Sequence, residues 1–431
     1  MSAEFIESHD QTVTDPHIGA STQPTEMTLN VPMETGDTCQ RWSVGRVPPM
    51  AVAFPRDERE AADVMVAAAA AGLRVAPAGA GTWLATRAAR PVDLVISTER
   101  MAQVTSYEPA DLTLTAGAGL TLASLARTTV PKRQFLALDP PGAGTLGGLV
   151  STASSGPLRA LYGTPRDHVL GATLVTGDGR ILELGGQVVK NVAGFDLIKL
   201  IVGGWGVFGL ITSVTVRLYP IPASDRTLVF RGERESILDL SQKVMAAPLV
   251  PAALELVDQV ESDGKGTTFI AIRLLGSELT TRAAAEVFER AAGRPADERL
   301  SGTDSSAMAS VVRRTGAIGQ VTVRVAGKPG KAPDFLREVA ARLPSHTAAA
   351  HLADGVVRVG WDVGDARQEL AALQDLVDSF HARMTVLTGP MAWTAGPRGR
   401  SPGLQRILDG LKAEFDPGTI LWPGRFAGEG R

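Results

Sequence analysis

Three short glycine-rich loops constrain this chain more than any other feature: PAGAGT at 77–82, GAGTLGG at 142–148 and GGWGVFG at 203–209. Adjacent glycines let a backbone come close to a ligand. Successive peptide N–H groups in such turns form a concave nest for an anion, and Thr82 and Thr145 add hydroxyl donors. Two of the loops contain a literal G-x-G-x-x-G, at Gly142, Gly144 and Gly147 and at Gly204, Gly206 and Gly209. A Rossmann turn needs a strand before the first glycine and a helix opening at the last. Pro140 and Pro141 precede the first match and disfavour a central strand, and the following GLVSTASSGP reads as poor helix material. The second match follows a helical pattern and enters a strand, which is the reverse order. Tight turns alone would explain one loop. Three loops, with hydroxyls placed alike, point to a dinucleotide pyrophosphate.

The chain of 431 residues has room for two or three domains. Its net charge of −3 and its lack of a Lys/Arg cluster exclude a basic face for nucleic acid. A single cysteine, Cys39, excludes an internal disulfide framework and an internal four-cysteine iron–sulfur site. That usage fits a reducing, cytoplasmic setting, and the acidic start MSAEFIESHDQ is not a secretory signal. The apolar stretch 197–216 carries one charge, Lys199, but also four glycines. It reads as a helix turning into a buried strand rather than a membrane span.

Residues 1–40 are polar, without period, and are expected to be a disordered tail that includes Cys39. A helix is expected from Asp57 as N-cap, with Glu60 at capping-box spacing and Gly72 at its end. Strands are expected at 73–77, 92–97 and 112–116, and a hairpin over 169–184 turning at Gly177-Asp178-Gly179. A helix over NVAGFDLIKLIVGG leads into a strand at 209–220 ended by Pro220. From about 223 strands and helices alternate. This predicts a second α+β domain, mostly antiparallel, with helices on one face and no repeat.

Four passages carry a family resemblance: VAPAGAGT (75–82), the segment 142–179, the segment 185–218 and LKAEFDPGTILWPGRF (411–426). In these the chain resembles the vanillyl-alcohol-oxidase type of FAD-binding protein, and within it the family of the FAD-binding E subunit of bacterial glycolate oxidase. The resemblance implies an α+β fold: a PCMH-type FAD-binding domain (41–222) of two α/β subdomains, a smaller α+β cap (223–400), and a C-terminal segment (401–431) returning to the FAD domain. By this resemblance Pro77, Ala78, Gly79, Ala80, Gly81 and Thr82 would wrap the pyrophosphate of FAD. Gly142, Thr145, Leu146, Gly147 and Gly148 would add backbone and hydroxyl contacts. Thr152, Ser155 and Gly156 would lie near the ring or ribityl chain. Gly206, Ile211 and Thr212 would meet the cofactor through the third turn, and Arg425 in the Pro423-Gly424-Arg425 turn would close over it. The first two loops hold no His or Cys, so FAD is expected to be non-covalent, with His168 packing at the start of a strand. The family's Gly-Ser-x-Gly-Thr-Leu-Gly stands here as GGWGVFG, so two hydroxyls are replaced by Gly204 and Val207.

Oxidation of a 2-hydroxy acid needs a base for the hydroxyl proton and a cation for the carboxylate. Among His9, His17, His168, His346, His351 and His381 no pair has metal-site spacing, and no base is identified. Lys190, Asn191 and Asp196 serve either the flavin or helix capping and an ion pair. With the catalytic residue unknown, the resemblance implies an FAD subunit of a glycolate (2-hydroxy acid) oxidase complex. Such a subunit would pass electrons to a paralogous FAD subunit and an iron–sulfur subunit, at most peripherally at the inner face of the cytoplasmic membrane. Two alternatives stay open at this point. One is a self-sufficient flavin oxidoreductase acting on a hydroxy acid, polyol or sugar. The other is a flavin-free scaffold.

Overall fold

A computed structural model describes residues 31–44, 47–84, 91–186, 196–261, 265–343, 345–362, 366–389 and 401–423. The first subdomain contains β1 (Met33–Thr35), β2 (Ala51–Ala53), α1 (Glu58–Ala70), β3 (Val75–Ala78) and β4 (Leu94–Ser97). Its sheet runs β1-β2-β4-β3, with β2 and β3 parallel to β4. The Asp57 carboxylate caps α1 by accepting from the N–H groups of Arg59 and Glu60, as its sequence signature predicts. Glu60 reaches one residue further back and accepts from the Arg56 N–H. Ala61, Val64, Met65 and Ala68 of α1 cover one face of the sheet. Parallel strands are normally covered on both faces. Here the second cover comes from Trp42, Cys39, Val44 and Phe54. The folded chain therefore starts earlier than the expected boundary at residue 40. The 3₁₀ turn Gly36–Trp42 buries Cys39 completely, because the far side of the sheet requires an apolar lid. Residues 1–30 of the expected tail lie outside the described residues.

The second subdomain contains β5 (Val104–Glu108), β6 (Thr113–Gly117), α2 (Leu122–Thr129), β7 (Gln134–Phe135), α3 (Leu146–Thr152), α4 (Arg159–Tyr162), α5 (Pro165–His168), β8 (Val169–Val175), β9 (Ile181–Gly185), α6 (Ile198–Ile201), β10 (Leu210–Arg217) and β11 (Tyr219–Pro220). Five strands form an antiparallel sheet ordered β5-β6-β10-β8-β9. The hairpin β8–β9 is the expected one. Helix α3 is a correction: GLVST, read as poor helix material, is helical. Thr145 caps it by accepting from the Gly148 N–H at 3.3 Å, and Leu146, Leu149 and Val150 are buried in the core. Burial of an apolar face outweighs weak propensity over so short a segment. The apolar stretch 197–216 contains only the four-residue α6, a glycine turn and β10, and no described helix is long and apolar enough to cross a membrane.

The cap contains β12 (Ser224–Arg231), α7 (Arg234–Met245), β13 (Ala253–Val260), β14 (Gly266–Gly276), α8 (Glu278–Ala292), β15 (Glu298–Ser301), α9 (Gly302–Arg314), β16 (Val321–Ala326), α10 (Ala332–Arg342), β17 (His346–His351), β18 (Val356–Trp361), α11 (Ala366–Ser379) and β19 (Arg383–Thr388). Its eight-stranded antiparallel sheet is ordered β15-β12-β14-β13-β17-β18-β16-β19. This is a repeat that the sequence reading missed: two βαββαβ units, each with its first strand between its third and fourth, joined where β13 pairs with β17. Divergent side chains hide the repeat, because only the layer pattern is preserved. Residues of α7, α8, α10 and α11 share one core with one face of the sheet. The expectation of helices on one face fails for α9, whose Val312 packs on the opposite face against Val229, Val257 and Phe269.

The chain then returns to the first subdomain through α12 (Pro402–Phe415). The Val75 N–H donates to the Ile420 carbonyl at 2.8 Å and the Trp422 N–H to the Val75 carbonyl at 2.9 Å, so the returning segment lies along the free edge of β3. Buried Asp416 fixes this return by accepting from the N–H groups of Ile420 and Leu421 and from Lys412 Nζ at 2.6 Å.

Candidate functional site

The three glycine loops meet. A Cβ added to Gly79 would lie 2.0 Å from Thr145 Oγ1, which places the first loop directly against the second. One on Gly206, whose φ is +74°, would lie 3.1 Å from Pro77 Cβ and 3.4 Å from Trp422 Nε1. The third loop and the returning C-terminal segment therefore close on the first. Trp205 takes φ +56° and stacks edge-on against Trp83 at 6.0 Å. The cleft between the loops is lined by Pro77, Gly79, Gly81, Thr145, Gly148 and Ser151, and reaches Ile211 at one end.

Peptide planarity decides which edge of the first loop faces this cleft. The Ala78 carbonyl accepts from Thr98 N, and the Gly79 carbonyl accepts from Ser97 Oγ at 2.9 Å. In a trans peptide the N–H points opposite to the C=O. The N–H groups of Gly79 and Ala80 are thus turned away from β4, as an anion nest requires. The close approach at Gly79, the turned-out amides and the Thr145 hydroxyl fit the pyrophosphate of a flavin dinucleotide.

The remaining residues taken from the resemblance divide. Ala80 and Thr82 are exposed at the loop tip, and Thr82 and Thr152 line the cleft. Gly147 serves packing: its N–H donates to the Ala118 carbonyl, and a Cβ there would lie 2.6 Å from Ala118 Cβ. Leu146 is core, with its N–H given to the Leu120 carbonyl. Gly142 is exposed with open space around it. Thr212 is buried at a bulge of β10, near the Thr173 carbonyl. Ser155 and Gly156 are buried, and Gly156 is pressed against Asp139. Arg425, Lys190 and Asn191 lie outside the described residues. Asp196 pairs with Arg166 and Lys199. His168 packs on the Tyr219 ring at the start of β8, with Nδ1 at 3.0 Å from the Thr164 carbonyl, and does not line the cleft. Burial pushes its pKa down.

A second cluster escaped the sequence reading altogether. On the sheet face opposite the cap core, Glu255 and His351 are directly paired positions of β13 and β17. His351 Nδ1 lies 2.6 Å from Glu255 Oε2, and its Nε2 lies 3.0 Å from Arg358 Nη1. Arg358 Nη2 donates to the carbonyl of Ser155, on the FAD-domain loop. Beside it, Arg159 of α4 pairs with Asp354 at 2.5 Å and donates to Ser155 Oγ at 3.2 Å. Arg324 of β16 stands close enough for Arg159 and Asp354 to act on its charge.

Arg358 can only donate. His351 Nε2 must therefore accept, and Nδ1 carries the proton that Glu255 receives. Burial, followed by the charges of Arg358, Arg159 and Arg324, holds His351 well below the usual histidine range. Burial and the nearby Asp354 and Asp139 push Glu255 well up, against the pull of Arg358. Arg358 itself is lowered by burial to about 10. Three guanidiniums, those of Arg159, Arg324 and Arg358, thus gather around Glu255 and Asp354, which makes the cluster rich in cations. The signal in the sequence was a lone Arg in the apolar strand VVRVGW and a Glu in ALELV. His346, grouped with His351 in the sequence, lies on the other sheet face against Asp258 at 3.4 Å. No group of side chains suited to a metal occurs among the described residues.

The fold is that of a PCMH-type FAD-binding domain carrying an α+β cap, as the resemblance implied. Residues 49–185 match the FAD binding domain family, and FAD is the cofactor. The chain is 33% identical over 217 residues to glycolate oxidase subunit GlcD of Bacillus subtilis, covering 49% of this chain and 46% of that protein. It is 32% identical over 182 residues to glycolate oxidase subunit GlcE of Escherichia coli, covering 41% of this chain and 52% of that one. The chain thus spans about half the length of these relatives. A solved alkyldihydroxyacetonephosphate synthase shares the fold, with TM-score 0.65 and 15% identity over 88% of this chain and 76% of that one.

Proposed function

We propose that the chain is an FAD-dependent oxidoreductase that oxidises a small 2-hydroxy acid where the cap meets the FAD domain. It would work within a glycolate-oxidase type of assembly that takes the electrons onward through a paralogous flavoprotein and an iron–sulfur subunit. The observation that carries this reading is the group Arg159, Arg324, Arg358 and His351, joined to the FAD domain through Ser155. A hydroxy acid brings a carboxylate and a hydroxyl, and the group offers a cationic field and an imidazole.

Bound FAD supplies the acceptor for the hydride equivalent. The protein residues do the rest. A substrate carboxylate would pair with Arg358 and Arg324 in a charge-assisted, forked contact. That contact competes with the bond from Arg358 to His351 Nε2 and frees the lone pair for the hydroxyl proton. Glu255 on Nδ1 keeps the ring in the correct tautomer and stabilises the imidazolium that forms. An uncharged polyol or sugar offers no carboxylate to compete with His351 for Arg358, which disfavours the alternative substrates.

The test is anaerobic addition of glycolate, D-lactate and larger 2-hydroxy acids to the FAD-loaded chain. Loss of the visible flavin band with at least one of them supports the reading. A band unchanged by every one of them, with FAD bound, overturns it.

A further inference from the structure

A cavity of about 390 Å³ lies between α2 and β7 of the FAD domain and β12, β14 and α9 of the cap. Its volume falls in the range of about 300–1,000 Å³ typical of small-molecule sites. One wall is apolar, with Leu122, Leu125, Phe135, Leu136 and Leu138. The other carries charge. Arg273 is held in a forked pair by Asp225 at 3.0 and 2.6 Å, and Asp225 also accepts from the hydroxyls of Ser305 and Ser306. Arg313 makes one contact, from Nη2 to Ser310 Oγ at 3.2 Å, and no carboxylate lies within 4 Å of it among the described residues.

Two further features mark a built site rather than a packing fault. Thr129 is completely buried, lines the cavity, and its hydroxyl has no hydrogen-bond partner. A buried polar group left unpaired is unfavourable, and a ligand oxygen would satisfy it. Asp139, also in the wall, is pushed by burial to about 7. With Arg273 already neutralised by Asp225 and Asp139 only partly charged near neutral pH, Arg313 leaves the chamber with a net positive charge. A smaller cavity shares Asp139 and Arg273 with the large one and reaches Glu255, but the arginines of the reaction centre do not line the large chamber.

We propose that this chamber binds an amphiphilic carboxylate, an organic acid with an apolar body of several carbons. Its carboxylate meets Arg313 and the Thr129 hydroxyl, and its body lies against Leu125, Phe135 and Leu136. A short polar acid such as acetate or glycolate has the charge but cannot cover this wall. The site stands apart from the oxidation proposed above and does not rest on it.

The test is calorimetric titration of the FAD-loaded full chain with octanoate and, separately, with acetate. Octanoate should bind about tenfold or more tightly than acetate, since each buried methylene contributes about 0.8 kcal/mol. R313Q should weaken octanoate about tenfold or more by removing the charge partner. Ala126→Trp, which fills the chamber from α2, should abolish its binding. Flavin content and melting temperature show that each variant is folded. Should Ala126→Trp fail to fold, Leu136→Phe serves the same purpose. The inference is overturned if octanoate binds no more tightly than acetate. It is equally overturned if its affinity is unchanged in both R313Q and the folded cavity-filling variant.

Discussion

Arg358 of the cap donates to the carbonyl of Ser155 in the FAD domain, 203 residues away in sequence. The same guanidinium donates to His351 Nε2 at 3.0 Å. One side chain thus ties the cap sheet to the FAD-domain loop and fixes the tautomer of the only imidazole in the cluster. R358Q should keep FAD, because the glycine cleft is elsewhere. It should slow flavin reduction by hydroxy acid by about 10²-fold, the order expected on losing one preorganised charge-stabilising donor. Stopped-flow reduction compared with flavin content reads both effects, and loss of FAD together with rate would contradict the division into two sites.

The Gly79–Thr145 contact gives a second prediction. Gly79→Asp would drive a side chain into Thr145 and a carboxylate toward the proposed pyrophosphate nest. The purified variant should carry little flavin and take up little on adding FAD. Gly142→Ala, at a position with open space, should leave flavin content unchanged. Equal flavin content in the two variants would remove the first loop from the cofactor site.

A third prediction concerns pH. Burial raises Asp139 from 3.8 to about 7. A raised acid binds more protons in the folded than in the unfolded chain, so its contribution to stability falls as pH rises between those two values. Asp139→Asn keeps the acceptor for the Leu158 N–H and removes the buried charge. The melting temperature of the variant should match wild type near pH 4 and exceed it above pH 7. A gain that is constant with pH would contradict burial of the charge as the cause.

The C-terminal return rests on Asp416 and Lys412. Lys412 Nζ also donates to the carbonyls of Val207 and Leu421, at 2.9 and 2.7 Å. It therefore joins the third glycine loop to the returning segment. Asp416→Ala leaves that ammonium without its carboxylate and costs about 3–5 kcal/mol by analogy with other broken buried pairs. Melting should drop by several degrees, cleavage near residue 420 should accelerate in limited proteolysis, and FAD should bind more weakly. Unchanged proteolysis would show that the return does not depend on this pair.

Much of the FAD domain was legible because its chemistry is written in contiguous loops. PAGAGT and GAGTLGG declare close approach on their own, and Asp57 with Gly72 brackets a helix. The helix at 146–152 was not legible, since its stability comes from burying Leu149 and Val150 rather than from propensity. Cys39 looked peripheral because its burial depends on a sheet face assembled from residues up to 95. The cap cluster was hidden for the same reason. Glu255, His351 and Arg358 become neighbours only through the pairing of β13, β17 and β18, and Arg159 reaches them from the other domain. A histidine dismissed for lacking a metal partner thus gains a carboxylate and a guanidinium once the strands align.

The most direct measurement is anaerobic reduction of the FAD-loaded chain by a panel of 2-hydroxy acids, repeated with His351→Gln. The account predicts that one acid bleaches the wild-type flavin, while the variant binds FAD normally and bleaches far more slowly. Flavin that no hydroxy acid bleaches, or a variant that bleaches as fast as wild type, would contradict a reaction centre built on His351 and its arginines.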